Sequence, residues 1–174
     1  VSVGGDSAGG NLAAVAAQLA ARTRPPAAQL LIYPATDAAR EHPSKALFGR
    51  GYFLSRADCD AFSRHYTDGA GVEPTDPRVS PLLAHDLSGL APALVVTAGF
   101  DPLRDEGDAY ARRLKESGNA VAWRRFPSLA HGFVNMTGVC PAARRALAEV
   151  ARDWRALLDR AASAPARLTE ENVA

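Results

Sequence analysis

Gly5-Asp6-Ser7-Ala8-Gly9 sets a serine among small residues, where an apolar run, Val1–Gly4, gives way to a helical pattern from Ala8. A serine on a tight strand-to-helix turn projects its Oγ clear of a sheet, in a strained conformation that small neighbours tolerate. Gly5 and Gly9 are expected to remove Cβ atoms that would collide there. The following helix aims N–H groups without intrahelical partners, notably that of Ala8, at any anion forming beside the serine. Ser7 is therefore the expected nucleophile and Ala8 the expected oxyanion-hole donor. The pattern alone has low specificity. A Gly-rich turn whose serine merely caps the helix would read the same way. A phosphate-binding turn is a weaker rival, because neither a Lys-Ser/Thr pair nor a G-x-G-x-x-G string follows.

A serine hydroxyl has little nucleophilicity near neutral pH without a base to take its proton. His42, His65 and His85 fall within 38–90, where they read as solvated or capping residues. His131 stands in Leu129-Ala130-His131-Gly132-Phe133, after the fourth apolar run and before the last helix. Loops that follow the strands of a parallel sheet gather at one carboxyl edge, so His131 can reach Ser7. The carboxylate orienting it should also follow a strand. Asp101 does so, directly after Ala93–Ala98 and Gly99-Phe100, and Pro102 stiffens its exit. Asp37, after another strand, competes for the role. Asp105, Glu106 and Asp108 fall on the next helix, where acids in the first turn suit the helix dipole.

Strands must alternate with helices to place these groups. Val1–Gly4, Gln29–Tyr33, Ala93–Ala98 and Val121–Phe126 read as strands, and Ala8–Arg22, Arg104–Ser117 and Pro141–Arg160 as helices. That alternation predicts an α/β domain with a mainly parallel sheet flanked by helices. Leu12, Val15, Ala16 and Leu19 recur on one face of the first helix; Leu147, Val150, Trp154, Leu157 and Leu158 form a stripe on the last. Arg124 and Arg125 suit an edge strand. Residues 38–90 hold one clear helix, Arg56–Thr67, opened by a capping box of Ser55 and Asp58. An insertion this long predicts a cap or lid over a core formed by 1–37 and 91–163. The polar stretch 164–174 reads as a flexible tail.

The 174 residues are 47% apolar and 22% charged, enough to bury a core. Net charge is +1, with charges scattered, which argues against nucleic-acid binding and a polybasic membrane anchor. No apolar run approaches the ~18 residues of a spanning helix. Cys59 and Cys140 are too few for a disulfide framework or a four-cysteine zinc site, and read as ordinary buried thiols. The chain begins at Val1, already inside an apolar run, so an upstream part of a larger polypeptide is expected. A cytoplasmic location is the default expectation.

Several strings together resemble the bacterial hormone-sensitive-lipase-like esterases of the α/β-hydrolase superfamily. They are Gly5-Asp6-Ser7-Ala8-Gly9-Gly10-Asn11, Asp101-Pro102-Leu103-Arg104-Asp105-Glu106-Gly107 and His131-Gly132-Phe133, with softer matches at Ile32-Tyr33-Pro34 and Val79-Ser80-Pro81-Leu82. The order Ser, Asp, His is also that superfamily's. The resemblance implies the C-terminal portion of an α/β-hydrolase fold and a serine carboxylesterase acting on small-molecule esters of short-to-medium acyl chains. Ser7 would be its nucleophile, His131 its base and Asp101 the orienting acid, with no metal or organic cofactor. The family's upstream His-Gly-Gly-Gly motif, which completes the oxyanion hole, has no counterpart in these residues. The chain by itself is therefore expected to be unstable and nearly inactive, its first strand a bare edge. A homodimer through the Val121–Phe126 edge would cover the opposite side. Rival readings are a non-catalytic ligand-binding module, an inactive gene product, and an amidase or peptidase using the same three residues.

Overall fold

A computed structural model describes residues 1–163; the expected tail, 164–174, lies outside the described residues. Four strands, β1 (Val3–Asp6), β2 (Gln29–Ile32), β3 (Ala93–Phe100) and β4 (Val121–Ala130), form one sheet in the order β1-β2-β3-β4. Every neighbouring pair is parallel. The carboxyl ends of all four strands therefore share one edge. Helices α1 (Ala8–Ala20), α2 (Pro43–Phe48), α3 (Arg56–Thr67), α4 (Arg104–Glu116) and α5 (Pro141–Ser163) complete the described elements, with single 3₁₀ turns at Pro81–Leu83 and Phe133–Met136.

The core divides along the sheet. Leu31 and Val95 pack on one face with Ala13 and Ala14 of α1 and Tyr110 and Leu114 of α4. Ile32, Leu94 and Val96 pack on the other with Phe133 and with Val150 and Leu157 of α5. β3 is apolar on both faces, as a strand covered from two sides requires.

Helix α1 turns the other way round from the sequence expectation. Leu12 and Leu19 are 56% and 69% exposed, whereas Gly10, Asn11, Ala13, Ala14 and Ala17 are buried. Small side chains let this helix lie close against the sheet, and its larger apolar residues are left on the outer face. Leu147 of the expected α5 stripe is likewise partly exposed.

β4 also corrects its expected end at Phe126. It runs on through Pro127 to Ala130, with a register shift opposite Ala98 and Phe100. Proline has no N–H to give a ladder, but an outer strand with a bulge tolerates it. Gly99 allows the close approach: a Cβ there would sit 2.0 Å from the Pro127 carbonyl oxygen. The extension carries the chain to His131. Arg124 pairs with Glu149 and Asp153 of α5, and Arg125 with Asp108, so both edge arginines meet carboxylates of the same chain.

Within 38–90, the capping box forms: the Ser55 Oγ accepts from the Asp58 N–H, and the Asp58 carboxylate accepts from the Ser55 N–H. The short helix α2 is an addition to the sequence reading, started by Pro43. Helix α3 has no fully buried residue. Among the described residues no helix is long and apolar enough to cross a membrane.

Candidate active site

Between Asp6 at the end of β1 and Ala8 at the start of α1, Ser7 takes φ 55° and ψ −120°. A non-glycine residue there carries strain of about 1–3 kcal/mol and persists only when its surroundings hold it. The holding groups are backbone. The Ser7 N–H donates to the Ile32 carbonyl at 2.9 Å, and the Ser7 carbonyl accepts from Asn11 at 3.1 Å and Ala35 at 3.3 Å. Its side chain makes no cap bond with α1. The Oγ instead lies 2.9 Å from His131 Nε2.

The turn is tight at Gly5, where a Cβ would stand 2.3 Å from the Gly9 backbone carbonyl. Gly9, expected to be needed for the same reason, has open space where its own Cβ would lie. The constraint acts through Gly5. Gly5→Ala is therefore expected to cost about 1–3 kcal/mol through overpacking, or roughly 2–4 °C of Tm per kcal/mol. It should also displace Ser7. A thermal melt unchanged within 1 °C would show that the turn has room; Gly9→Ala is the control expected to be milder.

The carboxyl edge brings Asp101 and His131 to this serine. Asp101 follows β3 and is fully buried. Its Oδ2 lies 2.8 Å from His131 Nδ1, and its Oδ1 accepts the Leu103 N–H at 2.7 Å. His131, 6% exposed, follows β4. One imidazole thus spans a carboxylate and a hydroxyl, both within hydrogen-bond distance. A neutral ring protonated at Nδ1 leaves Nε2 free to accept the serine proton. The first N–H groups of α1, beginning with Ala8, have no i−4 carbonyl in the helix and carry its positive dipole end. The combination can take a proton from an alcohol and hold a negative oxygen next to it.

Asp37, the rival carboxylate, is spent elsewhere. It accepts from Arg40 Nε at 2.6 Å and from the Ala39 N–H, and lies 2.9 Å from His42 Nε2. Burial would push its carboxyl up, but the His42, Arg40 and Ala39 hydrogen bonds outweigh that and hold it below the usual carboxylate range. His65 and His85 are exposed.

The helix-dipole reading of Asp105, Glu106 and Asp108 is incomplete, because each has its own partners. Asp105 accepts from the Ser44 N–H and Arg104. Asp108 accepts from Thr97 Oγ1 and Trp123 Nε1 as well as Arg125. Glu106, 1% exposed, accepts the N–H groups of Thr36 and Asp37 and pairs with Lys45 Nζ at 3.1 Å. Its burial pushes the carboxyl up, against the pull of Lys45 and the two N–H groups.

Two more residues shape the site without having been singled out in the sequence. Tyr33, at φ 36°, lays its ring 4.5 Å from the imidazole of His131, and its hydroxyl donates to Asp6 at 3.2 Å. Burial, reinforced by the Asp6 charge, holds this phenol above its ordinary range, so it stays a neutral donor. Asn11 Nδ2 donates to the carbonyls of Ala35 and Val79, tying two loops together beneath Ser7. Tyr33 sits in the quoted Ile32-Tyr33-Pro34 string and Asn11 closes the quoted string that begins at Gly5, but neither is given a role there.

Beside Ser7 and Ala8 opens a cavity of about 490 Å³, walled by Leu103, Val79 and, from α3, Cys59 and Phe62. Cys59 and Cys140 are both partly exposed, which corrects the buried-thiol expectation. Cys59 lies on helix α3, none of whose residues is fully buried.

Residues 1–135 match the model of a family described as having the alpha/beta hydrolase fold. The carboxylic ester hydrolase LipN of Mycobacterium tuberculosis is 54% identical over 142 residues, which are 78% of this chain and 38% of LipN. An ethyl acetate hydrolase of Pseudomonas putida is 40% identical over 86% of this chain and 48% of its own length. The crystal structure of EstE1, a thermostable carboxylesterase from a metagenomic library, superposes with a TM-score of 0.83 at 42% identity, covering 90% of this chain and 54% of EstE1. The chain spans less than half the length of the two curated relatives. With the family match over most of its residues and these relatives, the chain belongs to the hormone-sensitive-lipase-like branch of the α/β-hydrolase-fold family.

Proposed function

We propose that the protein carrying this chain hydrolyses carboxylic esters of small molecules through a covalent acyl-enzyme. The observation that carries the reading is the unbroken hydrogen-bond series Asp101–His131–Ser7 beside the amino end of α1. Ser7 Oγ attacks the ester carbonyl carbon while His131 Nε2 takes its proton. The carbonyl oxygen becomes an oxyanion and accepts the Ala8 N–H. Asp101 stabilises the imidazolium through Nδ1–H. As the carbon–oxygen bond to the alcohol breaks, His131 gives its proton to the departing alkoxide. Water then attacks the acyl-enzyme by the same route, releasing the acid and restoring Ser7.

Residues 38–90 serve as a cap over the core of 1–37 and 91–163, and the ester enters beneath them. The names of the relatives support the ester class, and the ethyl acetate hydrolase favours short acyl groups. A fluorophosphonate probe, followed by peptide mass spectrometry, tests the reading. One adduct on the peptide holding Ser7 is expected, with none in Ser7→Ala. An unlabelled Ser7 in protein that hydrolyses esters would put the nucleophile elsewhere, and protein that neither labels nor hydrolyses would support the binding-module rival.

A further inference from the structure

Hydrolysis requires each part of the ester to lie on a definite side of Ser7. The departing alkoxide oxygen must come within hydrogen-bond reach of His131 Nε2, because that nitrogen supplies its proton. The oxyanion must face the Ala8 N–H. Only the acyl chain is left to extend in the third direction. The cavity of about 490 Å³ has Ser7 and Ala8 on its wall but not His131. Resting on the proposed mechanism, that arrangement gives the cavity to the acyl side.

The far wall is helix α3. Phe62 and Tyr66, which also line the cavity, are 63% and 51% exposed, so both stand at its open rim. Cys59 is the lining residue of α3 that is tucked inward. Burial pushes its thiol up to about 11, with the Glu106 charge adding to the effect. Glu106 and Lys45 line the same cavity and face each other at 3.1 Å. We infer that Cys59 is a specificity-determining residue: its side chain closes the inner end of the acyl cavity and limits the length of acyl chain accepted.

Two of the charges that line the cavity, Lys45 and Asp37, are already paired within the chain. Lys45 Nζ is already engaged by Glu106 and by the carbonyls of Asp37 and Arg40. The Asp37 carboxylate is occupied by Arg40 and His42. Neither charge is free to receive one on the substrate, and an unpaired buried charge is costly.

The test uses the native polypeptide that carries this sequence, with p-nitrophenyl acetate, butyrate, hexanoate and octanoate. Cys59→Trp fills the inner end, and Cys59→Ala opens it. A single methylene in an apolar pocket is worth about 10–200-fold in kcat/KM. Cys59→Trp should therefore lower the octanoate-to-acetate ratio of kcat/KM by at least about tenfold, and Cys59→Ala should raise it. A second series holds the acyl group as acetate and varies the alcohol from ethyl to butyl to phenyl; the Cys59→Ala ratios there should match the parent's. An acyl ratio unmoved in Cys59→Ala, or a shift in the alcohol series instead, overturns the assignment even if Cys59→Trp fails to fold. Those outcomes leave the hydrolase reading standing, because the parent still turns over. A parent that neither hydrolyses these esters nor takes the fluorophosphonate label defeats both.

Discussion

Ser7→Ala is expected to lower kcat for ester hydrolysis by at least about 10⁴-fold, leaving the fold unchanged. The two halves of that result have separate physical causes. Turnover goes because the hydroxyl that lies 2.9 Å from His131 Nε2 is removed, and no acyl-enzyme can form. The fold stays because the turn is held by backbone groups of Ser7, donating to Ile32 and accepting from Asn11 and Ala35, which alanine keeps. The side chain caps nothing in α1. Alanine also retains the strain of φ 55°. Ser7→Gly relieves it, since glycine enters the positive-φ region without a Cβ penalty. It should raise stability by up to about 1 kcal/mol after the entropy of the unfolded glycine is subtracted. Steady-state kinetics with matched thermal melts checks both variants. Turnover within tenfold of the parent in Ser7→Ala would remove Ser7 from the chemistry. Loss of cooperative melting would make it a structural residue instead.

What the sequence revealed was whatever has a local signature. Ser7 is announced by its glycines and by the change from strand to helix. Asp101 and His131 are announced by their place after strands, because a parallel sheet sends all such loops to one edge. What stayed hidden depends on distance in three dimensions. The buried face of α1 could not be read from periodicity, since proximity to the sheet selects Ala13, Ala14 and Ala17 over the larger Leu12 and Leu19. Pro127 looked like a strand end, yet β4 passes through it because an outer strand can do without that N–H. Asp37 and Asp101 are both carboxylates following strands, and the sequence favours Asp101 by its place directly after the strand and by Pro102. Their difference lies in partners: His42, five residues on, claims the first and His131, thirty residues on, the second. Tyr33 packs its ring on His131 from the end of a different strand, and no spacing in the chain announces that contact.

Asp101→Asn carries the second large effect: a fall in kcat of about 10⁴-fold, with KM moved far less. The carboxylate serves two donors at once. Its Oδ1 accepts the Leu103 N–H at 2.7 Å, and its Oδ2 faces His131 Nδ1 at 2.8 Å. An asparagine has one acceptor oxygen for these two sites. With the oxygen toward Leu103, the amide NH₂ points at Nδ1, which must then be unprotonated; the ring proton moves to Nε2, and His131 can no longer take the proton of Ser7. With the oxygen toward His131, the amide donor confronts the Leu103 N–H inside a fully buried site, and the loop that positions residue 101 is pushed out of place. Either orientation disables the base. KM changes less because Asp101 is separated from the substrate by the imidazole. Asp37→Asn removes an equally buried carboxylate from the His42 pair, and should leave kcat within about tenfold while lowering stability by about 1–3 kcal/mol. Steady-state kinetics of the two variants side by side separates the roles. Equal losses of kcat, or a larger loss in Asp37→Asn, would reverse the assignment of the two carboxylates.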